Sequence, residues 1–184
     1  MGIQAKNSIG QIEVVPALPD QEPVIANLVE LYAHDFSEFQ ELEIGQDGRF
    51  GYRDLHHYWS EPGRHPFLIK VDDRPAGFVL VKQGSDISGD RTAWDVAEFF
   101  VVRGCRRLGV GKAAAQEVWR RFPGRWEVRV MMANQPARQF WAGAISEFLG
   151  ETIRGIRTEV GGEHWELFSF ASSGVPPDSK LRPM

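Results

Sequence analysis

Residues 93–122 read AWDVAEFFVVRGCRRLGVGKAAAQEVWRRF, and this stretch decides how the chain is expected to fold. Its first ten residues are mostly apolar, as in a buried strand, and its last ten are mostly good helix formers. Between them, Gly109 and Gly111 expose main-chain N–H groups at the positive end of the helix dipole. The order strand, glycine loop, helix therefore predicts a phosphate-binding site, with three flanking bases adding attraction: Arg106, Arg107 and Lys112.

Two other glycine-loop motifs fit this segment less well. A P-loop requires Lys and then Ser or Thr directly after its last glycine, whereas Val110 and Gly111 follow Gly109. The dinucleotide fingerprint G-x-G-x-x-A is matched by Gly109, Gly111 and Ala114, but it should open a βαβ unit soon after an early strand. Here a hairpin and an arginine-rich stretch come first, so a nucleotide-dependent oxidoreductase is the weakest alternative.

Hydrophobic periodicity outward from this stretch predicts a single α/β domain over residues 1–170, with a disordered tail at 171–184. The predicted elements are a strand at 12–15, a helix at 23–39, a variable lobe at 40–66, a hairpin at 67–82, strands at 93–102 and 126–132, a helix at 135–148 and a second hairpin at 152–170. Asn134 is placed to cap the helix that follows it.

The loop resembles the Arg/Gln-x-x-Gly-x-Gly/Ala signature of the GNAT superfamily of N-acetyltransferases. Asn134, Ala137, Phe140 and Trp141 are similar to the family's next motif, an Asn followed by Ala-x-x-Phe-Tyr. The resemblance, to a bacterial branch of acetyltransferases, implies a mixed, mostly antiparallel sheet of six to seven strands flanked by helices. It implies acetyl-CoA as co-substrate, held by Val101, Val102, Arg106, Arg107, Leu108, Gly109, Val110, Gly111, Lys112, Asn134, Phe140 and Trp141.

The family's reaction is direct attack of an amine on the thioester, which requires a base for the amine proton. Glu98 and Asp95 lie on the strand before the loop, and their spacing puts them on opposite faces of a regular strand. Glu98 is the preferred base, with an ion pair to a nearby arginine as its alternative. By resemblance, the N–H groups near Val101 and Val102 hold the thioester carbonyl and the pantetheine arm, which Asn134 either contacts or leaves to cap its helix.

Trp141 occupies the position where many family members have a proton-donating tyrosine, and indole is a poor acid. The chain has three tyrosines, all in its first third: Tyr32, Tyr52 and Tyr58. Either one of them reaches the site or water protonates the thiolate. The tryptophan also leaves open a second function, that of a catalytically silent acyl-CoA-binding sensor or partner module.

Acidic residues dominate the segment from Glu13 to Glu61, where aromatic side chains lie among them. Carboxylates and aromatic faces both attract cations, which predicts an amine or polyamine acceptor. The expected substrate-binding residues are Asp35, Glu38, Tyr52, Tyr58 and Trp59. An aminoglycoside-modifying enzyme would be a special case of this function.

Composition narrows the remaining possibilities. The 184 residues carry a formal net charge of -4, which argues against nucleic acid as a partner. No apolar run approaches the ~20 residues of a membrane span and no secretory signal is recognisable, so a cytoplasmic location is expected. The single cysteine, Cys105, and the scattered histidines predict no metal site. A homodimer is expected only by analogy with the family.

Overall fold

Seven strands and four helices form in the order that the hydrophobic pattern predicts. The computed structural model describes residues 10–174. Its elements are β1 (Ile12–Pro16), α1 (Glu22–Phe36), α2 (His57–Ser60), β2 (Arg64–Val71), β3 (Arg74–Gln83), β4 (Trp94–Val101), α3 (Val110–Arg121), β5 (Gly124–Met131), α4 (Gln135–Leu149), β6 (Ile156–Val160) and β7 (Glu163–Ser172). The expected tail at 171–184 begins inside β7, and its part from residue 175 onward lies outside the described residues.

All strands belong to one sheet, in the order β1-β2-β3-β4-β5-β7-β6. Neighbouring strands run antiparallel except β4 and β5, which are parallel. The crossover between those two strands contains the glycine loop and α3, as a parallel connection requires. This topology confirms the mixed, mostly antiparallel sheet of six to seven strands.

The two faces of the sheet bury separate sets of side chains. One face packs against α3 and α4 through residues such as Val118, Trp119 and Ile145, and the other packs against α1 and α2 through Ile25 and Tyr58. A strand buried on both faces reads as a continuous apolar run, which explains the pattern of β3 and β4. No helix within residues 10–174 is long and apolar enough to cross a membrane.

Local chemistry explains where the helices begin and end. The side chain of Asn134 accepts a hydrogen bond of 3.1 Å from the N–H of Ala137, and Gly150 ends α4 in the left-handed conformation. Helix α1 ends at Phe36, three residues before the expected end. Just beyond it the Ser37 hydroxyl donates to the carbonyl of His34, a local bond that competes with helix propagation.

The loop-rich segment between α1 and α2 is fastened to α1 by one carboxylate. Glu30 accepts hydrogen bonds from the N–H groups of Phe50 (2.8 Å) and Gly51 (3.1 Å). Charge-assisted bonds of this kind are stronger than neutral ones, so they define the position of this segment. As a result Tyr52, which follows directly, lies beneath the open part of the sheet.

Candidate active site

The glycine loop begins after a 3-10 turn at Arg103–Cys105 and leads directly into α3. Arg107 and Gly109 have positive φ angles, of 60° and 81°. In the described part of the chain, the N–H groups of residues 107–112 have no main-chain or side-chain acceptor. A Cβ added at Gly109 would meet no atom within 4 Å, so the space in front of the loop is open. Unpaired N–H groups at a helix N-terminus suit the pyrophosphate of acetyl-CoA, and the loop therefore fits that ligand.

Strands β4 and β5 diverge immediately after they meet. Only two pairs join them, Trp94 with Trp126 and Asp95 with Glu127. Beyond these pairs the strands splay apart, and the sheet opens toward the glycine loop. The opening separates main-chain groups that would otherwise bond each other across the sheet.

Two adjoining cavities occupy this opening. The first, here the loop cavity, has a volume of about 620 Å³ and is lined by Val101, Arg106, Gly109, Phe140 and neighbouring residues. The second, the central cavity, has about 460 Å³ and is lined by Glu98, Arg129 and residues of α1 and β5. Six residues line both cavities and mark where they meet: Tyr32, Phe36, Phe99, Asn134, Ala137 and Trp141.

Some expected cofactor-binding residues line the loop cavity and others do not. Those that do are Val101, Arg106, Arg107, Gly109, Gly111, Lys112, Asn134, Phe140 and Trp141. Val110 is buried in the core and Leu108 is exposed, so neither side chain contributes, although their N–H groups belong to the loop. The role expected for the N–H of Val102 needs correction, because that group donates to the carbonyl of Ala76 at 2.8 Å. Asn134 caps α4 and also lines both cavities.

Arg106 and Arg103 are tied to α1 by a single carboxylate. Arg103 donates to Asp35 at 2.7 Å and Arg106 bonds the other carboxylate oxygen, while the Nε of Arg106 donates to the carbonyl of Val101. Partial burial would raise the pKa of Asp35, but the hydrogen bonds from the two arginines hold it below its usual value. Asp35 thus borders the loop cavity as an ion-pair partner, which corrects its expected role in binding an amine.

A β-bulge in β4 overturns the expectation that Glu98 and Asp95 face opposite sides. Glu98 pairs with Leu80 and Asp95 with Lys82, two positions apart on β3. Side chains of directly paired residues point the same way, so both carboxylates lie on the α1 face. The extra residue at the bulge is Ala97, which shifts the alternation by one.

Two tyrosines bind the carboxylate of Glu98 from different elements. Tyr32 on α1 donates to one oxygen at 2.6 Å, and Tyr52 donates to the other at 3.1 Å. Burial raises the pKa of Glu98, opposed by the hydrogen bond from Tyr32 and the charge of Arg129. A carboxyl with a raised pKa in a cavity has the character of a general base.

Asp95 is a structural carboxylate. It is 1% exposed and forms an ion pair with Arg129, with the Nζ of Lys82 at 3.9 Å. Burial raises its pKa, against the opposing charges of Arg129 and Lys82. Because Asp95 lines neither cavity and its charge is matched, we assign it to the support of the site rather than to proton transfer.

The expected substrate residues are divided among three locations. Tyr52 lines the central cavity, and Glu38 lines the loop cavity together with Asp35. Tyr58 is 2% exposed in the core, and the indole N–H of Trp59 donates to the carbonyl of Ala17 at 2.8 Å. Neither of these last two lines either cavity, which corrects their expected role.

Sequence reasoning did not assign Tyr32 and Arg129 to the site. Tyr32 lies on the apolar face of α1, where an aromatic residue reads as a core residue, and Arg129 alternates with apolar residues on β5 as an exposed base would. Only the pairing of distant segments reveals their positions. In the described range 10–174 no group of three or more His, Cys, Asp or Glu side chains is arranged to hold a metal ion.

A splayed sheet, a helix N-terminus with unpaired amides and a carboxylate beneath the gap define a protein that presents a phosphate-bearing ligand to a second molecule. The family model described as "Acetyltransferase (GNAT) family" matches residues 25–143. The chain belongs to this family, as the sequence resemblance predicts.

Comparison with solved structures shows the same fold. An acetyltransferase from Thermus thermophilus is similar with a TM-score of 0.63 at 17% identity, covering 89% of this chain and 98% of that one. NAA60 of Arabidopsis thaliana, in complex with a bisubstrate analogue, gives 0.57 at 17% identity, with coverage of 90% and 100%. A spermidine N-acetyltransferase chimera involving Vibrio cholerae gives 0.57 at 11% identity, covering 89% and 97%. No curated protein matches the sequence.

Proposed function

We propose that this protein transfers an acetyl group from acetyl-CoA to a primary amine by direct attack within a ternary complex. The observation that supports this most is the junction of the two cavities at the β4/β5 opening, with Glu98 beside it. Acetyl-CoA supplies an activated thioester. The chain supplies a place for its phosphates, a neighbouring space for the amine and a carboxylate at their boundary.

The loop holds the diphosphate through the N–H groups of residues 107–112, with Arg107 and Lys112 at the rim of the loop cavity. Phe140 packs against Gly111, where an added Cβ would lie 3.3 Å from its ring. Gly111 thus lets the ring and the loop lie close together. Within the central cavity Glu98 takes a proton from the acceptor nitrogen, and Tyr32 and Tyr52 orient its two oxygens.

The central cavity indicates the class of amine. Its carboxylates are Glu43 and Glu98, and the charge of Arg129 is matched by Asp95. The rest of the lining is largely apolar, with aromatic side chains from Phe36, Phe50, Phe99, Tyr32, Tyr52, Trp141 and Trp165. We therefore propose an acceptor with one ammonium group on an apolar or aromatic body. The row of acidic residues expected to favour a polyamine does not line this cavity.

The alternative, a silent acyl-CoA-binding module, requires no oriented base. A carboxylate bound by two tyrosines in a cavity beside the loop favours catalysis. The test is release of free CoA thiol from acetyl-CoA with a panel of phenethylamine, benzylamine, spermidine and a peptide with a free N-terminus. We expect the arylalkylamines to give the highest kcat/KM.

The matched control is Glu98→Gln, which keeps the shape of the side chain and removes the base. General bases contribute about 10²–10⁴ to rate, so kcat should fall at least about a hundredfold while acetyl-CoA affinity in calorimetry stays unchanged. Tight binding of acetyl-CoA with no thiol release from any amine would favour the silent module. A clear preference for spermidine would contradict the proposed acceptor class alone.

A further inference from the structure

One proton remains unassigned in the proposed reaction, which this inference takes as its basis. When the neutral amine attacks, the new N–C bond forms, the C–S bond breaks and the nitrogen loses a proton to Glu98. The departing sulfur must gain a proton to become a thiol. The position where the family motif has a tyrosine is Trp141, whose indole N–H is a poor acid.

The positions of the three tyrosines decide which one can take over this role. Tyr58 lines neither cavity, and Tyr52 lines the central cavity alone. Tyr32 lines both, so its phenol borders the path between the loop and Glu98. No histidine in the described part of the chain lines either cavity.

Packing fixes the direction of the Tyr32 phenol. Its ring lies between Phe36, Phe78 and Phe100, with ring centroids 5.5, 5.9 and 6.1 Å away. Edge-on aromatic contacts restrict the tilt of a ring. The hydroxyl therefore stays at 2.6 Å from Glu98, the shorter of the two tyrosine bonds to that carboxylate.

We propose that Tyr32 donates its proton to the departing sulfur and recovers one from Glu98. Glu98 takes the proton from the attacking nitrogen, and both side chains end the cycle in their starting states. The net transfer carries one proton from nitrogen to sulfur, and the ammonium's other proton is released to solvent beforehand. Tyr32 on α1 thereby replaces the tyrosine that is absent from α4.

Acidity along this path has the required direction. Burial, followed by the negative charge of Glu98, raises the pKa of Tyr32, so the phenol stays protonated while Glu98 is ionised. Once Glu98 holds the amine proton, its charge no longer opposes release of the phenol proton. The proton that reaches sulfur then comes in effect from a carboxylic acid, which is a stronger acid than a thiol.

The test compares Tyr32→Phe with Tyr52→Phe. Both changes preserve the ring and remove one hydrogen bond to Glu98, but only Tyr32 borders both cavities. With acetyl-CoA and the best amine of the panel, we expect kcat to fall at least about a hundredfold for Tyr32→Phe and less than about tenfold for Tyr52→Phe. Acetyl-CoA affinity and melting temperature should match the wild type in both variants. Equal losses of kcat in the two variants would overturn the proposal.

Two further measurements separate a proton path from a structural effect. Adding Tyr32→Phe to Glu98→Gln should lower kcat little beyond Glu98→Gln alone, because residues of one path are not additive; multiplied losses would contradict the path. Infrared titration of the Glu98 carboxyl in the ligand-free protein needs no turnover. Each tyrosine variant should raise its pKa, and an unchanged titration in Tyr32→Phe would refute the contact even if no amine proved to be a substrate.

Discussion

Replacing Arg129 with methionine should expose how much the site depends on one buried cation. Asp95 is 1% exposed and the side chain of Arg129 is 19% exposed, so their ion pair is largely shielded from water. Removing one partner of a buried pair costs 3–5 kcal/mol, and we expect about 3 kcal/mol because Lys82 remains near Asp95. For a chain of this size that corresponds to a fall in Tm of roughly 6–12 °C.

The loss should depend on pH in a defined direction. Without Arg129, the pKa values of Asp95 and Glu98, already raised by burial, rise further. A carboxyl with a higher pKa in the folded than in the unfolded protein lowers stability as pH rises above its unfolded value, until its folded pKa is passed. The destabilisation by Arg129→Met should therefore be small near about pH 5 and largest near about pH 8.

Urea denaturation at both pH values measures this effect through the midpoint at constant m value. The control is the double variant Arg129→Met/Asp95→Leu, which removes the stranded carboxylate and should recover most of the lost stability. A loss below about 1 kcal/mol at the higher pH would refute the reasoning, since it would place the pair in a well-solvated environment. So would a loss that grows toward acid pH.

Four further predictions concern the ligand loop, the base and the sheet. Gly109→Val forces a β-branched residue to a φ of 81° and should weaken acetyl-CoA binding at least about tenfold in calorimetry, whereas Gly104→Ala, with open space around its Cβ, should not. Asp35→Asn leaves two arginines of the loop cavity uncompensated and should tighten acetyl-CoA binding several-fold at low salt. The acid limb of the kcat/KM profile should lie above an ordinary carboxyl pKa and disappear in Glu98→Gln. Gly77→Ala would place a Cβ 2.1 Å from a β4 carbonyl oxygen, and chemical denaturation should show a loss of about 2 kcal/mol or more.

Local sequence was sufficient for the glycine loop and its helix. The N–H groups of a helix's first turn have no acceptor within the helix, so residues 107–112 could be assigned without knowing any distant contact. The cap at Asn134 is similarly local, because its acceptor oxygen and the N–H of Ala137 are three residues apart. These features depend on backbone geometry within one turn.

The proton-transfer residues could not be assigned in this way. The alternation rule gave the wrong faces for Glu98 and Asp95, because the bulge at Ala97 exists only through the pairing of β4 with β3. Tyr32 and Glu98 are separated by 66 positions, and nothing near either residue signals their bond. Asp35 looked available to a substrate amine for the same reason, since its arginine partners follow 68 and 71 positions later.

The short contact between β4 and β5 means that the sheet behaves as two half-sheets joined at two rungs. Main-chain groups beyond these rungs resemble the exposed edges of strands, which pair readily with an extended chain. The amide-bearing arm of acetyl-CoA can lie between them as a partial extra strand. We therefore expect hydrogen exchange along the inner edges of residues 96–101 and 128–131 to slow markedly when the ligand binds, as the two halves become one continuous sheet.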